Sequence, residues 1–288
     1  MFNNLNIGFL ITARLKSTRL PKKILLDLNG KSVIDRVIER AKMVKGINRI
    51  ILCTSTNKQD DELCDYAFAN DIDLFRGSED DVLTRLYDAS KIYDLDAFVN
   101  ITADNPLFCF ESSSKLVEIY KKHNFDFINT KGLPIGLNTY LFDVKALNIA
   151  LVMKSNSDTE IWGPYIYRSD FFNLADVSIK TKINPRIRIT LDYNEDYKLF
   201  KKIYSYFSSD YSPDFFDLIN ILEKDSEILK INQKKVQIMP SEMQIAEIRN
   251  EFDLRKNKGL EFAKKIDKKL KPNFTEFNFS VNEIKYNK

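Results

Sequence analysis

The chain has 288 residues, of which 44% are hydrophobic and 30% charged, and its 44 basic and 41 acidic side chains leave a formal charge of +3. This composition excludes an intrinsically disordered chain and a protein that binds nucleic acid through a strong basic excess. Three cysteines without CxxC spacing and a single histidine leave little material for disulfides, thiolate zinc sites or histidine triads. The first 15 residues lack the basic region and the long apolar run of a signal or a membrane span, so we expect a cytoplasmic protein.

Strand and helix patterns alternate along the first half of the chain. Apolar runs rich in β-branched and aromatic residues predict strands, and apolar residues at helical spacing predict helices. In chain order these are a strand at 6–12, a helix at 31–44, a strand at 49–54, a helix at 60–70, a strand at 72–75, a helix at 79–93, a strand at 97–102 and a helix at 111–122. Such alternation produces βαβ crossovers, so we expect an α/β fold with a doubly wound, mostly parallel sheet and helices on both faces.

The second half of the chain is less regular. We predict extended segments at 125–130, 138–143, 175–183 and 186–192, and helices near 144–153, 195–207 and 213–224. Residues 241–269 predict one long charged helix that begins with a capping box at Ser241 and Gln244, followed by a loosely ordered tail. We therefore divide the chain into a main domain, 1–238, and a C-terminal helical extension with a tail, 239–288.

A basic loop follows the first predicted strand. Its sequence is TARLKSTRLPKK, residues 12–23, and its basic residues are Arg14, Lys16, Arg19, Lys22 and Lys23. Ligands of open parallel sheets bind beyond the carboxyl ends of the strands, and a strand-loop-helix junction favours anions. The loop has no glycine-rich phosphate motif, so side chains must supply the positive charge, and we expect an anion site here.

Two carboxylates end predicted strands elsewhere in the chain. Asp104 follows strand 97–102, and Asp192 closes segment 186–192. Each of them could instead cap the following helix, whereas Asp196 is better explained as a favourable charge at a helix N-terminus. Two carboxylates that face a basic loop suit Mg²⁺, which is commonly held by protein carboxylates together with substrate phosphates. We expect these loops and the loop at 54–61 to converge on one crevice.

Six stretches resemble a known family in their order and spacing. They are ITARLKSTRLPKKILLDLNGKSVIDRVIER, TSTNKQDD, FRGSEDDVLTRLYDAS, NITADNPLF, GPYIYR and RITLDYNED, spread from about residue 5 to about residue 235. Together they resemble the cytidylyltransferases of the spore-coat polysaccharide biosynthesis protein F group. More distantly they resemble the CMP-sugar-acid synthetases that act on sialic acid and 3-deoxy-manno-octulosonate. The resemblance implies the fold of nucleotide-diphospho-sugar transferases.

The resemblance also implies an activity and a set of site residues. The implied reaction is Mg²⁺-dependent attack of an acceptor oxygen on the α-phosphorus of CTP, with release of pyrophosphate. The implied catalytic residues are Arg14, Lys23 and Asp104, and the implied metal ligands are Asp104 and Asp192. The implied nucleotide-binding residues are Thr12, Ala13, Arg14, Ser17, Arg19, Lys23, Arg76, Ser78, Arg85 and Thr102. The acceptor, an acidic sugar or a phosphorylated compound, is expected to contact Asn138, Tyr140, Glu160 and Tyr165.

The acceptor segments depart from the family pattern. Asn138 and Tyr140 stand where relatives often carry acidic residues, and Ile161 stands where a histidine is usual. Two alternatives therefore stay open. One is a nucleotide-sugar-dependent glycosyltransferase, although TADNPLF lacks the DxD motif that this would favour, and the other is a non-catalytic nucleotide-binding assembly subunit. Trp162 suits either a substrate stack or the hydrophobic core. We expect no nucleic-acid or membrane partner, and a homodimer is one open arrangement.

Overall fold

The computed structural model describes residues 5–285, and its eight strands form one sheet. In chain order the strands are β1 (Ile7–Thr12), β2 (Arg49–Ser55), β3 (Asp73–Gly77), β4 (Ala97–Thr102), β5 (Phe127–Lys131), β6 (Tyr140–Asp143), β7 (Asn173–Lys180) and β8 (Asn273–Ser280). Across the sheet they lie in the order β3-β2-β1-β4-β6-β5-β7-β8. Only β6 runs antiparallel to its neighbours in this described sheet. The predicted α/β fold with a mostly parallel sheet is confirmed.

Ten α-helices connect or follow the strands in the described part of the chain. They are α1 (Val33–Lys42), α2 (Glu62–Ala69), α3 (Val82–Ile92), α4 (Phe110–His123), α5 (Val144–Met153), α6 (Gly163–Ile166), α7 (Asn194–Tyr204), α8 (Phe215–Lys224), α9 (Glu242–Leu254) and α10 (Lys256–Lys265). Between residues 5 and 285, no helix is both long and apolar enough to cross a membrane.

Hydrophobic cores lie on both faces of the sheet. Phe9 and Ile11 of β1 belong to a core that includes apolar residues of α1, α4, α7 and α8. Leu10, between them, belongs to a second core with residues of α3, α5, α6, α9 and α10. Successive side chains of a strand point to opposite faces, so a central parallel strand is buried on both sides. This explains why β1 has a continuous apolar sequence rather than an alternating one.

Segment 186–192 is not the strand that its sequence predicts. Among the described residues it makes only an isolated bridge, in which Arg188 pairs with Ile135. The Leu191 N–H instead donates to the Asp104 carbonyl at 2.9 Å, so the segment runs past the end of β4. Gly136, at φ 95°, permits this close approach, because a Cβ there would lie 2.1 Å from the Ile189 carbonyl oxygen. The same path brings Asp192 beside the loop that contains Asp104.

The C-terminal segment differs from its prediction in two respects. The helix predicted over 241–269 is divided at Arg255 into α9 and α10. The predicted loose tail is wrong, because β8 pairs with β7 in parallel along its whole length, 273–280. Phe277 and Phe279 of β8 are partly buried against the core on the α4 face. The boundary predicted after residue 238 therefore lies between segments that share one sheet.

Candidate active site

A crevice of about 400 Å³ opens where the loops after β1 and β4 meet. β1 pairs with β2 on one side and with β4 on the other, so the order of the strands reverses there. Such a switch point leaves a gap between diverging loops, in which ligands of α/β sheets bind. The predicted site residues that line the crevice are Thr12, Ala13, Arg14, Ser17, Arg19, Lys23, Arg85, Thr102, Asp104, Glu160 and Asp192. The predicted convergence of these two loops is confirmed.

One lysine joins the two predicted metal-ligating carboxylates. Lys23 Nζ lies 2.5 Å from Asp104 Oδ2 and 2.9 Å from Asp192 Oδ1. Lys22 has a left-handed backbone conformation, with φ 50°, and Lys23 begins a single turn of 3-10 helix directly after it. These three groups form a compact ionic cluster, which we call the crevice cluster.

Lys23 and the carboxylates of the crevice cluster stabilise each other's charged forms. Burial alone would lower the pKa of Lys23, but the carboxylates of Asp104 and Asp192 outweigh burial and raise it. Burial alone would likewise raise the pKa of Asp192, but the charges of Lys23 and Arg19 and a hydrogen bond from Arg188 lower it. Lys23 and Asp192 are therefore ionised at neutral pH.

Asp104 is oriented by its own loop. The hydroxyl of Thr102 donates to Asp104 Oδ1 at 2.6 Å, and the side-chain amide of Asn105 donates to the same oxygen at 3.0 Å. Both donors come from the turn that ends β4, which is a well-buried strand. The other oxygen, Oδ2, is thereby left pointing at Lys23. Thr102 was predicted as a nucleotide-binding residue, whereas Asn105 was not predicted for the site.

Asp192 is oriented by a buried arginine that was not predicted for the site. Arg188 Nη2 donates to Asp192 Oδ2 at 3.2 Å and to Asp196 Oδ2 at 3.0 Å. Asp196 has no exposed surface and accepts the backbone N–H groups of Asp192 and Tyr193, as its predicted role at the start of α7 requires. Asn232 donates to its other oxygen at 2.8 Å. Arg188 lies in a segment with alternating polar and apolar residues. This pattern predicts a strand with exposed polar side chains, so it does not indicate that Arg188 is buried against Asp192.

All five basic residues of the first loop are paired with acids. Arg14 forms an ion pair with Glu160, and Arg19 Nη2 lies 2.8 Å from Asp192 Oδ1. Lys16 and Lys22 pair with Glu79 at 3.3 Å and Glu62 at 2.7 Å, respectively, and of these two lysines only Lys16 lines the crevice. An anion that enters the crevice must therefore exchange places with protein carboxylates.

The loop at 54–61 supports the crevice without lining it. Asp60, fully buried, accepts the backbone N–H of Leu15 at 2.7 Å and the hydroxyl of Ser55. This contact fixes the basic loop to the end of β2. The expectation that this third loop would contribute to the crevice surface is wrong, because its polar groups are used to hold the neighbouring loop.

The predicted nucleotide-binding residues beyond β3 differ in position. Arg76 donates to the Ser55 and Asn57 carbonyls at 2.9 and 3.0 Å, so its guanidinium braces the end of β2 outside the crevice lining. Ser78 accepts the backbone N–H of Asp81 at 3.1 Å and also lies outside that lining. Arg85 lines the crevice while buried, and its Nε has no hydrogen-bond partner among the described residues. Burial lowers the pKa of Arg85, which makes an anionic partner favourable there.

Of the four predicted acceptor-binding residues, only Glu160 lines the crevice. Asn138 donates to the Leu133 carbonyl at 3.2 Å, and the Tyr140 ring packs edge-on against Trp162 with centroids 4.9 Å apart. Tyr165 is fully buried and donates to Glu251 Oε2 of α9 at 2.9 Å. Trp162 itself lines the crevice and also packs on the core. Asn138, Tyr140 and Tyr165 therefore lie outside the crevice lining, where the Asn138 amide, the Tyr140 ring and the Tyr165 hydroxyl make local contacts.

The crevice cluster has the donor set of a shared Mg²⁺ site. Asp104 Oδ2 and Asp192 Oδ1 converge on one ammonium nitrogen, so both oxygens can reach a single small cation. Across residues 5–285, no group of three or more His, Cys, Asp or Glu side chains is arranged to hold a metal by itself. Mg²⁺ usually takes one or two carboxylates together with substrate phosphates and water. The two aspartates fit that mode of binding better than an all-protein metal cage.

The motifs and the geometry agree with comparisons to known proteins. A family model described as cytidylyltransferase matches residues 9–271, which extends past residue 235 to include α9 and α10. The spore coat polysaccharide biosynthesis protein SpsF of Bacillus subtilis is 26% identical over 212 residues, covering 69% of this chain and 86% of that protein. The 8-amino-3,8-dideoxy-manno-octulosonate cytidylyltransferase of Shewanella amazonensis is 29% identical over 171 residues, covering 57% of this chain and 66% of that protein.

A solved structure supports the same relationship. A cytidylyltransferase from Leptospira borgpetersenii aligns with a TM-score of 0.73 and 26% sequence identity, covering 82% of this chain and 100% of that one. The resemblance that the six motifs carry is thereby confirmed. With the crevice at the switch point of the sheet and a family match over most of its length, the chain belongs to the cytidylyltransferase family.

Proposed function

We propose that the protein transfers a cytidylyl group from CTP to an oxygen of an acidic sugar or a related acceptor. The observation that carries this proposal is the crevice cluster, in which the basic loop meets two carboxylates at the switch point of the sheet. A new bond forms between the acceptor oxygen and the α-phosphorus while the bond to the β-phosphate oxygen breaks. The acceptor hydroxyl loses its proton, and pyrophosphate leaves.

The basic loop would bind the triphosphate. Arg14, Arg19 and Lys23 all line the crevice, and each is paired with a carboxylate that phosphate oxygens can replace. Arginine presents a planar fork that suits phosphate, and lysine supplies a movable point charge. Phosphoryl and nucleotidyl transfer depend on positioning and charge neutralisation more than on covalent catalysis. The crevice supplies these functions without a histidine or a cysteine in its lining.

Asp104 and Asp192 would hold Mg²⁺ against the triphosphate, and the bound ion would neutralise charge on the phosphate oxygens. The protein's part is to fix the two carboxylates. Thr102 and Asn105 orient Asp104, and Arg188 orients Asp192. Preorganised charges of this kind need not rearrange during the reaction, which is why their loss is costly.

The acceptor would enter beside Glu160 and Trp162. Both residues line the crevice, and Glu160 pairs with Arg14 of the basic loop. When a phosphate group binds Arg14, the Glu160 carboxylate loses its ion pair. It can then accept hydrogen bonds from hydroxyl or amino groups of the sugar substrate. The Shewanella relative is named for a cytidylyl transfer to an amino derivative of a 3-deoxy sugar acid. This relationship favours a sugar acid as the acceptor class.

The test is pyrophosphate release from CTP and Mg²⁺ with a panel of 2-keto sugar acids and phosphorylated polyols. We expect release that requires an acceptor and that prefers CTP over ATP and GTP by at least about tenfold, because unpaired base-edge groups cost roughly 1.4 kcal/mol. Equal use of all nucleotides would contradict the cytidylyl assignment. Tight CTP binding with no turnover on any acceptor would favour the non-catalytic alternative.

A further inference from the structure

We propose that Lys23 acts as a built-in substitute for the divalent cation, so that the cation site opens only when a nucleotide draws Lys23 away. The inference rests on the proposed function, because it concerns the metal that the transfer reaction uses. It specifies the order in which the nucleotide and the cation bind. In the nucleotide-free protein the two carboxylates are already neutralised, and a metal ion alone has no open position between them.

The first support is the geometry of the four carboxylate oxygens. Asp104 Oδ1 accepts hydrogen bonds from its own loop, and Asp192 Oδ2 accepts one from Arg188. The remaining oxygen of each carboxylate points at Lys23 Nζ, at 2.5 and 2.9 Å. Each aspartate therefore offers one oxygen to a central cation, and the ammonium group of Lys23 lies at that central position.

The second support is the difference in mobility between the lysine and the carboxylates. The aspartates have short side chains, and the backbone links their segments, since the Leu191 N–H donates to the Asp104 carbonyl at 2.9 Å. Lys23 instead reaches the cluster through a flexible four-carbon side chain. Its side chain also lines the crevice, so the ammonium can turn toward a phosphate without a change in the backbone. Lys23 is therefore the movable member of the cluster.

The third support is the charge around Asp192. Lys23, Arg19 and Arg188 all contact its carboxylate, at 2.9, 2.8 and 3.2 Å. These three cations already balance the carboxylates of Asp104, Asp192 and Asp196, so a divalent ion would approach a site without net negative charge, which is unfavourable where solvent screens little. A triphosphate reverses this balance, because its negative charges attract Arg19 and Lys23 away from the carboxylate. Nucleotide and cation should therefore bind with positive coupling, which is reciprocal by thermodynamic linkage.

The experiment measures Mn²⁺ binding to the full-length protein by electron paramagnetic resonance, without and with a non-hydrolysable CTP analogue. The variants are Lys23→Met and Lys23→Gln, and the matched control is Lys22→Met, since Lys22 pairs with Glu62 outside the crevice. Without nucleotide, we expect both Lys23 variants to bind one Mn²⁺ at least about tenfold more tightly than the wild type, and Lys22→Met to match the wild type. Addition of Asp104→Asn to Lys23→Met should remove the gain.

Two results would overturn the inference. One is a nucleotide-free wild type that binds Mn²⁺ as tightly as it does with the CTP analogue, a measurement that depends on no variant. The other is a folded Lys23 variant, verified by circular dichroism, whose Mn²⁺ affinity equals that of the wild type. Failure of the proposed function is separate from both. It would be seen as absent pyrophosphate release, whereas Mn²⁺ binding to the nucleotide-free protein requires no turnover.

Discussion

Two clusters in this protein have the same composition, one lysine between two aspartates. One lies at the carboxyl end of β4, and the other lies at the opposite end of that strand. In the crevice cluster Lys23 bridges Asp104 and Asp192. In the second, which we call the anchor cluster, Lys268 Nζ lies 2.6 Å from Asp126 Oδ1 and 2.9 Å from Asp143 Oδ1. The two lysine side chains are equally sheltered, at 14% and 15% exposure. Burial and ion pairing therefore do not distinguish the candidate active site from a structural ion cluster.

The surroundings of the carboxylates do distinguish the two clusters. In the anchor cluster the aspartates also accept the backbone N–H groups of Asn173 and Ala146, at 2.9 and 2.8 Å, so they hold the main chain together. In the crevice cluster the carboxylates border a cavity and share additional arginines. Burial raises the pKa of Asp126 despite Lys268, whereas the surrounding cations lower the pKa of Asp192 despite burial. Cationic side chains that border open space mark the site that suits an anion.

The largest effect expected from this comparison is a loss of stability in the anchor cluster. Lys268→Met leaves Asp126 and Asp143 without their cation in a buried setting, which should cost about 3 to 5 kcal/mol of unfolding free energy. Urea denaturation would measure the loss. Lys269→Met, at an exposed neighbouring position, should change stability by less than about 0.5 kcal/mol. Equal stability of the two variants would remove the structural role assigned to this cluster.

The crevice cluster should show the opposite response, a loss of turnover with a retained fold. Asp104→Asn and Asp192→Asn should each lower pyrophosphate release by about a hundredfold or more, because each removes a preorganised charge. The double variant should lose little more, since either change disrupts the same centre. Near wild-type rates for both single variants at saturating Mg²⁺ would mean that the metal is held by other groups.

Asp196 tests whether one segment contains both a residue needed for turnover, Asp192, and a residue needed for stability. It is only four residues from Asp192 and contacts the same arginine, yet it is completely buried. Asp196→Asn should cost about 2 kcal/mol of unfolding free energy through its charged hydrogen bonds, more than the 0.3 to 1 kcal/mol typical of an exposed helix-start charge. The folded fraction should keep most of its activity. An inactive but fully stable variant would reverse the roles of Asp192 and Asp196.

The smallest effect expected is a difference in pH dependence between Asp192 and Asp126. The lowered pKa of Asp192 stabilises the fold above its unfolded pKa, about 3.9, and this contribution is lost as the pH falls through the folded pKa. The raised pKa of Asp126 acts in the opposite sense, since the folded state binds the proton more tightly and gains stability as the pH falls. In urea titrations from pH 7 to 3, the stability gap between wild type and Asp192→Asn should therefore narrow. Over the same range, the free energy of unfolding of the wild type should rise relative to that of Asp126→Asn. If the wild type and both variants change in parallel with pH, the pKa directions given for Asp192 and Asp126 are contradicted.

The sequence predicts most of the fold because the first half obeys simple patterns. β4 and α5 match their predicted ranges, since each has an apolar pattern of clear period and a clear boundary. Segment 186–192 has strand-like alternation but hydrogen-bonds mainly to loops, and local patterns do not reveal partners. The sequence does not predict β8, because only one face of this strand is partly buried and its apolar pattern is weak.

The sequence predicts those parts of the candidate site that consist of clustered charged residues. The basic loop and the two aspartates lie at strand or segment ends, and their residue types indicate phosphate and metal chemistry. Arg188 was not predictable because a buried arginine in an alternating segment resembles an exposed one in sequence. Family position predicts acceptor contacts for Tyr140 and Tyr165, whereas in the structure their rings pack in or against the second core. Side-chain direction depends on neighbours that a single sequence does not specify.

The crevice cluster also has a consequence for how the protein folds. Lys23 is 81 residues from Asp104 and 169 residues from Asp192 in the sequence, so the three groups meet only when distant parts of the chain have docked. Contacts of such high sequence separation form slowly, because the chain must lose much loop entropy before they contribute stability. A nucleotide bound across them would stabilise the assembled state by mass action and would lower the population of globally unfolded molecules. Nucleotide supply would then influence the resistance of the protein to proteolysis.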